Sequence, residues 1–307
     1  MELIRHNLAL DFMKYRHLFL VVSLSIMIAS VVTWVKSGDE KYGVDFLGGV
    51  EIVAKFSSEI DLAKLRATVE EKGLSGAVVQ EFERGSHQYS IRAKASEQAD
   101  AKAKMLEAVS ALSNGQHEIL KEDVVGPLVG GEIRAKGTKA MVIALIGMLI
   151  YITLRFEFRF ALGAIAALVH DVVVTAGVYV FSGREVDSAI IAALLTIVGY
   201  SVNDTIVIYD RIRENLKKAL RHPAGKGKAG GAMSLADVMN VSMNETLSRT
   251  IITSLTVLFV VLTLFLYGGG AVENLAFALL IGVVAGCYST IFIANPVVLF
   301  FERSRKK

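Results

Sequence analysis

Residues 187–209 read DSAIIAALLTIVGYSVNDTIVIY. The run is apolar for long enough to cross about 30 Å of hydrocarbon, which takes roughly 20 helical residues. Yet it holds Asn203 and Asp204, and a charge at a span's centre costs about 2.5–3.5 kcal/mol on insertion scales. A segment that is at once a span and the carrier of an acid points to a helical bundle in a membrane, with its ionisable groups turned inward.

Five more runs of this kind lie on either side, at about 17–35, 138–154, 160–181, 250–267 and 273–300. Of the 307 residues 53% are apolar, and they are gathered in these runs rather than spread as a soluble core would have them. The net charge of +3 matters less than its placement. Arg5, Lys14 and Arg16 precede the first run, and Arg155 and Arg159 bracket the turn between the second and third. Arg211, Arg213, Lys217, Lys218, Arg221, Lys226 and Lys228 follow the fourth, and Arg303, Arg305, Lys306 and Lys307 follow the sixth. Loops 182–186 and 268–272 hold Arg184 as their one basic residue. Basic residues beside spans mark cytoplasmic loops, so all four clusters fall on one side when both termini are cytoplasmic.

The expected layout is a cytoplasmic segment 1–16, a first transmembrane helix at 17–35 and a domain at 36–137 outside the cytoplasm. Helices 2–4 then occupy 138–209, a cytoplasmic loop 210–249, helices 5 and 6 250–300, and a basic tail 301–307. The first run is long for a signal-peptide core and no A-x-A site follows it, so it reads as a retained anchor. Cys287, the single cysteine, lies inside the last run and reads as a small packing residue.

Within 36–137, Gly43-Val44-Asp45-Phe46-Leu47-Gly48-Gly49 suggests a turn where backbones come close. Val50, Ile52, Ala54 and Phe56 then alternate with Glu51 and Lys55 as in a half-buried strand. Residues 61–72 place Leu62, Leu65 and Val69 on one helical stripe. Strands near 76–83 and 87–93 are joined by Arg84-Gly85-Ser86, and 97–112 reads as a second helix and 117–121 as a last strand. The order βαββαβ is that of a small ferredoxin-like α+β domain. Val125-Gly126-Pro127-Leu128-Val129-Gly130-Gly131 reads as a linker back to the membrane. In loop 210–249 the Gly- and Lys-rich run 223–231 reads as flexible. Ser234 with Asp237 fits a capping box opening an amphipathic helix along the membrane surface.

The ionisable groups within or at the ends of the runs are His170, Asp171, Asp204, Arg249 and Glu273, with the polar Asn203 beside Asp204. Asp204 lies seven residues before Arg211, about 10 Å below the boundary on a helix. Arg249 begins the fifth span, and its long stem can bend inward. The two can meet if their spans are adjacent. A carboxylate near a guanidinium in an oily bundle can couple a proton to a change of shape, or it can be a static pair locking two helices. Asp171 with His170 reads more as interhelical bonding. Small residues at Gly282 and Gly286, and at Gly163 and Ala167, fit close helix contacts. No metal-ligand spacing, Walker-type glycine loop or nucleophile with its base is legible, so no enzyme chemistry, cofactor or nucleic-acid partner is expected.

At several of these stretches the sequence resembles the SecF family of protein translocase subunits, within the SecD/SecF group of the RND superfamily. Gly43 to Gly49, with Gly43, Asp45, Phe46, Gly48 and Gly49 as its characteristic residues, looks like the first periplasmic signature of the family, and Val125-Gly126-Pro127 looks like the second. Residues 161–171 resemble its third span, 198–205 and 210–215 its fourth, and Thr246 to Thr250 with Thr253-Ser254 the start of its fifth. The resemblance covers nearly the whole chain. It implies an RND-type half of six transmembrane helices with a periplasmic domain between helices 1 and 2, in a bacterial plasma membrane. It implies a SecD partner, the SecYEG channel, the SecA motor, YajC and YidC, and a secretory polypeptide as cargo. The proton-motive force would assist late, ATP-independent steps of export. Residues matching Asp204 and Arg249 are associated with proton transport, Asn203 would support them, and Asp171 matches a further acidic position. One departure is the extra Gly-, Ala- and Lys-rich stretch near 222–233. A self-sufficient exporter of small molecules or lipids and a purely structural scaffold are the competing classes. The small outer domain and single six-span half argue against the first.

Overall fold

The computed structural model describes residues 10–74, 76–83, 87–94, 100–113, 115–221, 233–268 and 270–305. A 3-10 turn, Phe12–Tyr15, leads into α1 (Arg16–Lys36), followed by a single turn α2 (Val44–Leu47). Then come β1 (Gly49–Phe56), α3 (Leu62–Glu71), β2 (Val78–Glu83), β3 (Gln88–Lys94), α4 (Ala101–Ser113) and β4 (His117–Val125). The remainder is helical: α5 (Pro127–Arg155), α6 (Phe158–Phe181), α7 (Ser188–Arg221), α8 (Leu235–Tyr267) and α9 (Gly270–Ser289). A π-helical turn, Thr290–Ala294, then runs into α10 (Asn295–Arg305).

Among the described residues, six helical stretches are long and apolar enough to cross a membrane: Phe12–Lys36, Leu128–Arg155, Phe158–Phe181, Ser188–Leu220, Leu235–Tyr267 and Val272–Glu302. The chain is a polytopic helical membrane protein with a small α/β domain between its first two spans. The third, fourth and sixth spans form the interior of the bundle, while α1, α5 and α8 expose long apolar faces. Glycines let the helices close. A Cβ on Gly177 of α6 would lie 2.1 Å from the Cβ of Ser30 in α1, and one on Gly282 of α9 would lie 2.2 Å from Ile197 of α7.

The α/β domain has strand order β2-β3-β1-β4 with every pairing antiparallel, the ferredoxin-like arrangement expected from the order of elements. Ile52, Ala54 and Phe56 of β1 face α3 and α4, and with Leu65, Val69, Met105, Ala108 and Val109 they make a dry core. Asp61 caps α3 by accepting from the Ala63 amide at 2.9 Å. β4 is longer than the sequence suggested because β1 offers it partners from Gly49 to Phe56, around a bulge at Val53/Ala54. The turn read at Arg84-Gly85-Ser86 lies outside the described residues, as do the first nine residues, the extra stretch 222–232 and the last two lysines.

Two readings are corrected, and a third, the glycine-rich turn, gains a detail. The stretch from Val125 to Gly131 is not a linker. β4 pairs to its last residue, Val125 opposite Gly49, Gly126 is the N-cap and Pro127 is the first residue of α5. Proline suits that position because its φ is preset and its missing N–H has no helical partner to lose. Within 210–249, residues 210–221 belong to α7, and the helix opened by the Ser234–Asp237 capping box is not a separate surface helix but continues unbroken into the fifth span; both spans are thus extended, while 222–232 lie outside the described residues. Arg211 to Glu245 at 2.6 Å and Asn215 to Ser242 at 3.0 Å zip the two extensions together, above buried Ile212, Met239 and Met243. Leu10 and Asn244 exchange hydrogen bonds, and Asn240 holds Met13 and Asp11, so the N-terminal segment lies along α8. Finally, the glycine-rich turn before β1 encloses the short helix α2. Its exit uses Gly48 at φ 78° and Gly49 at φ 150°, where side chains are disfavoured.

Candidate functional site

Among the described residues two carboxylates, Asp171 and Asp204, are buried inside the bundle, and their surroundings differ. Asp171 of α6 has no exposed surface. Its Oδ2 accepts from Ser201 Oγ of α7 at 2.6 Å and from Ser289 Oγ of α9 at 2.8 Å. Its Oδ1 lies 2.9 Å from His170 Nδ1. Three spans therefore converge on one acid. His170 is also buried and its ring tilts against Tyr288, 6.0 Å between centroids. The arrangement ties helices together and leaves little freedom for the carboxylate to reorient.

Asp204 sits three residues after Ser201 on α7 and is 5% exposed. It accepts one long hydrogen bond, from Ser254 Oγ of α8 at 3.5 Å. Ser254 in turn accepts from Tyr200 OH at 3.1 Å and from the Cys287 thiol of α9 at 2.8 Å. The hydroxyl thus stands between the acid and two further proton-bearing groups. Next to Asp204, Thr205 Oγ1 and Thr290 Oγ1 are 3.1 Å apart. Thr290 opens the π turn, which Asn295 spans by donating to the Thr290 carbonyl at 2.9 Å. A π turn inside a span re-aims the residues on either side of it.

Arg249 is five residues before Ser254 on α8, about 7 Å along the axis. The spans of Asp204 and Arg249 are adjacent, as the Ser254 link requires, but the two side chains do not pair. Arg249 is exposed and makes no ion pair within 4 Å among the described residues. It lines a cavity of about 660 Å³ with Arg155, Asp210, Arg211, Arg213 and Lys217, at the end of the bundle away from the α/β domain. Asn203 also faces outward on α7, without a partner among the described residues.

The glycine-rich motif is built into the opposite end. Asp45 Oδ2 accepts from the Ser188 amide at 3.0 Å and from the Ser188 hydroxyl, at the first residue of α7. The Gly43 amide donates to Val186 O at 3.0 Å, and the Val186 amide to Lys41 O at 2.7 Å. Phe46 is buried. A Cβ on Gly130 of α5 would lie 2.8 Å from its carbonyl oxygen. Arg92 of β3 completes the junction by pairing with Glu185 at 3.1 Å and Glu51 at 2.8 Å. Burial alone would raise the Glu51 carboxyl, but the Arg92 guanidinium and the Lys121 ammonium hold it below the usual range.

Ser201, Ser254, Ser289, Thr205, Thr290 and Cys287 had no assigned chemistry at the level of sequence. The available signal was polar hydroxyls recurring inside apolar runs, which is common in spans because such groups bond back to the helix.

Residues 104–304 match the family described as protein export membrane protein SecD/SecF, C-terminal. The chain is 37% identical over 305 residues to the protein translocase subunit SecF of Vibrio alginolyticus, covering 97% of this chain and 91% of that protein. It is 38% identical over 299 residues to SecF of Desulfurispirillum indicum, covering 95% and 92%. Among solved structures, SecDF, a translocon-associated membrane protein from Thermus, superposes with a TM-score of 0.84 at 32% identity over 98% of this chain. A SecDF in a super-membrane-facing form gives 0.70 at 33% identity over 97%. The chain spans 40% and 39% of those two SecDF chains, though nearly the whole of the SecF proteins.

Proposed function

The chain belongs to the SecF family of protein translocase subunits, and from that premise we propose that it is a proton-driven subunit of protein export. In this reading it forms a complex with SecD and works beside the SecYEG channel and the SecA motor, with YajC and YidC as neighbours. The proton-motive force draws a secretory polypeptide outward in late, ATP-independent steps. Both termini are cytoplasmic in this layout, and the α/β domain lies on the far side of a bacterial plasma membrane.

The observation that carries the reading is the contrast between the two buried acids. Asp171 is held by two hydroxyls and a histidine, whereas Asp204 accepts a single long bond from Ser254. A proton can come and go at Asp204 without dismantling a network. Ser254, Tyr200 and Cys287 provide movable hydrogens beside it, and Asn203 sits one residue away. Arg249 stands one and a half turns off, at the mouth of the basic cavity. Its stem can bring the guanidinium inward when Asp204 is ionised and let it leave when Asp204 is neutral. Each proton that crosses the full potential supplies about 2.3 kcal/mol per 100 mV.

The exposure of two polar residues supports a partner on one face of the bundle. Asn203 and Arg249 face outward on spans, where polar groups in contact with lipid are costly. A second membrane subunit lying on that face, here SecD, removes them from lipid. The decisive variant is Asp204→Asn in the assembled complex. Export driven by the proton-motive force falls about tenfold or more, with copurification of SecD intact. Unchanged export at full assembly gives the case to a static scaffold.

A further inference from the structure

The α/β domain is covalently joined to α1 and α5, and neither helix carries a carboxylate in its apolar part. The helices that do carry one are α6 and α7. The domain reaches them through contacts that are not covalent, gathered at the loop between α6 and α7. Tyr42 and Val186 form a parallel bridge, flanked by the Gly43–Val186 and Val186–Lys41 backbone hydrogen bonds. Arg92 of the sheet pairs with Glu185. Asp45 accepts from both the amide and the hydroxyl of Ser188, the residue that opens α7.

The Asp45 contact is a helix cap supplied from outside the helix. The first amides of a helix lack intrahelical partners and favour a negative charge. Asp187 takes one of them, from Ile190 at 3.0 Å, and Asp45 takes another. From Ser188 the helix runs without interruption to Arg221, and Asp204 lies sixteen residues along it, about 24 Å. On its other side the Asp45 segment cannot recede, because Phe46 is packed against Gly130 of α5 at a distance that admits no side chain. A displacement of α7 along its axis therefore bears directly on the segment that begins the sheet.

We propose that Asp45 is a positioning residue, which couples the α/β domain to α7 as one mechanical unit and so delivers movements of the helix that carries Asp204 to the domain. This rests on the reading of Asp204 as the proton carrier. The Asp45–Ser188 contact stays closed throughout the cycle. Its role is to transmit rather than to gate.

The test uses the full complex in proteoliposomes. Spin labels on Lys104→Cys of α4 and Lys217→Cys of α7 are each measured against a fixed label on the SecD partner, with Asp204→Asn standing for the protonated state. With Asp45 intact, Asp204→Asn shifts both distances. With Asp45→Ala added, the Lys217 shift remains and the Lys104 shift is lost, and Asp45→Asn, whose amide oxygen still accepts from Ser188, restores it. In export assays Asp45→Ala lowers the proton-dependent rate about fivefold, and Asp45→Asn returns it to within about twofold. Closing a disulfide between Asp45→Cys and Ser188→Cys raises export above that of the same variant reduced. A Lys104 shift that survives Asp45→Ala overturns the coupling while the proton reading stands. Export lost on oxidation and regained on reduction overturns the closed contact. If Asp204→Asn shifts neither label, the proton reading fails and takes the coupling with it.

Discussion

Asp171 and Ser289 are joined by a 2.8 Å hydrogen bond, and the last span changes from α- to π-helical geometry at the very next residue. The acid thus anchors α9 immediately before its backbone widens. With Ser201 on α7 as the other donor, one carboxylate fixes the mutual height of three spans. Removing it strands the Ser201 hydroxyl and a histidine in the buried interior and leaves Ser289 Oγ with only the Gly286 carbonyl, at 3.2 Å. Asp171→Ala should therefore cost about 3 kcal/mol of stability, read as a fall in the unfolding midpoint in detergent. Asp171→Asn keeps one acceptor oxygen and should cost markedly less. If Asp171→Ala is as stable as the parent yet abolishes proton-dependent export, the acid carries protons and is not a brace.

Glu51 gives a pH dependence whose sign is fixed. Burial raises its carboxyl, but Arg92 and Lys121 outweigh that and hold it below the ordinary value. A folded-state value below the unfolded one adds stability above the unfolded value, about 4.3 for glutamate, and that stability is lost as the pH falls through the lower folded value. Near neutral pH, Glu51→Gln should destabilise the α/β domain by about 1–2 kcal/mol, because the Glu51–Arg92 contact is largely shielded from water. The gap between parent and variant should close as the pH drops below about 4. Hydrogen exchange of β1 and β3 across that range measures it. A gap that widens in acid reverses the assignment.

Much of the fold was legible in the sequence because its signals are periodic. Apolar runs of span length, the alternation at Val50 to Phe56 and the stripe of Leu65 and Val69 each state their own geometry. What was not legible depends on partners distant in the chain. The extension of α7 and α8 beyond their apolar stretches is held by Arg211 with Glu245 and Asn215 with Ser242, and no local pattern distinguishes such residues from a solvated loop. At the candidate site the sequence picked out Asp204 and Arg249 because charges in apolar runs are conspicuous. It could not assign Ser254, whose importance lies in being adjacent at once to Asp204 and Tyr200 of α7 and to Cys287 of α9.

Ser254 is consequently the residue whose replacement best separates a mobile proton from a static lock. Its hydroxyl accepts from Tyr200 and Cys287 and donates to Asp204. Ser254→Ala leaves the first two without an acceptor and the acid without a donor. Threonine keeps the hydroxyl at the cost of one methyl. If Asp204 exchanges its proton through this hydroxyl, Ser254→Ala lowers proton-dependent export about tenfold and moves its pH midpoint, while Ser254→Thr retains most of both. A lock behaves otherwise: both variants change unfolding temperature in proportion to packing, and the pH midpoint of export stays where it was. Parallel pH profiles of the parent and the two variants, at matched complex levels, decide between them.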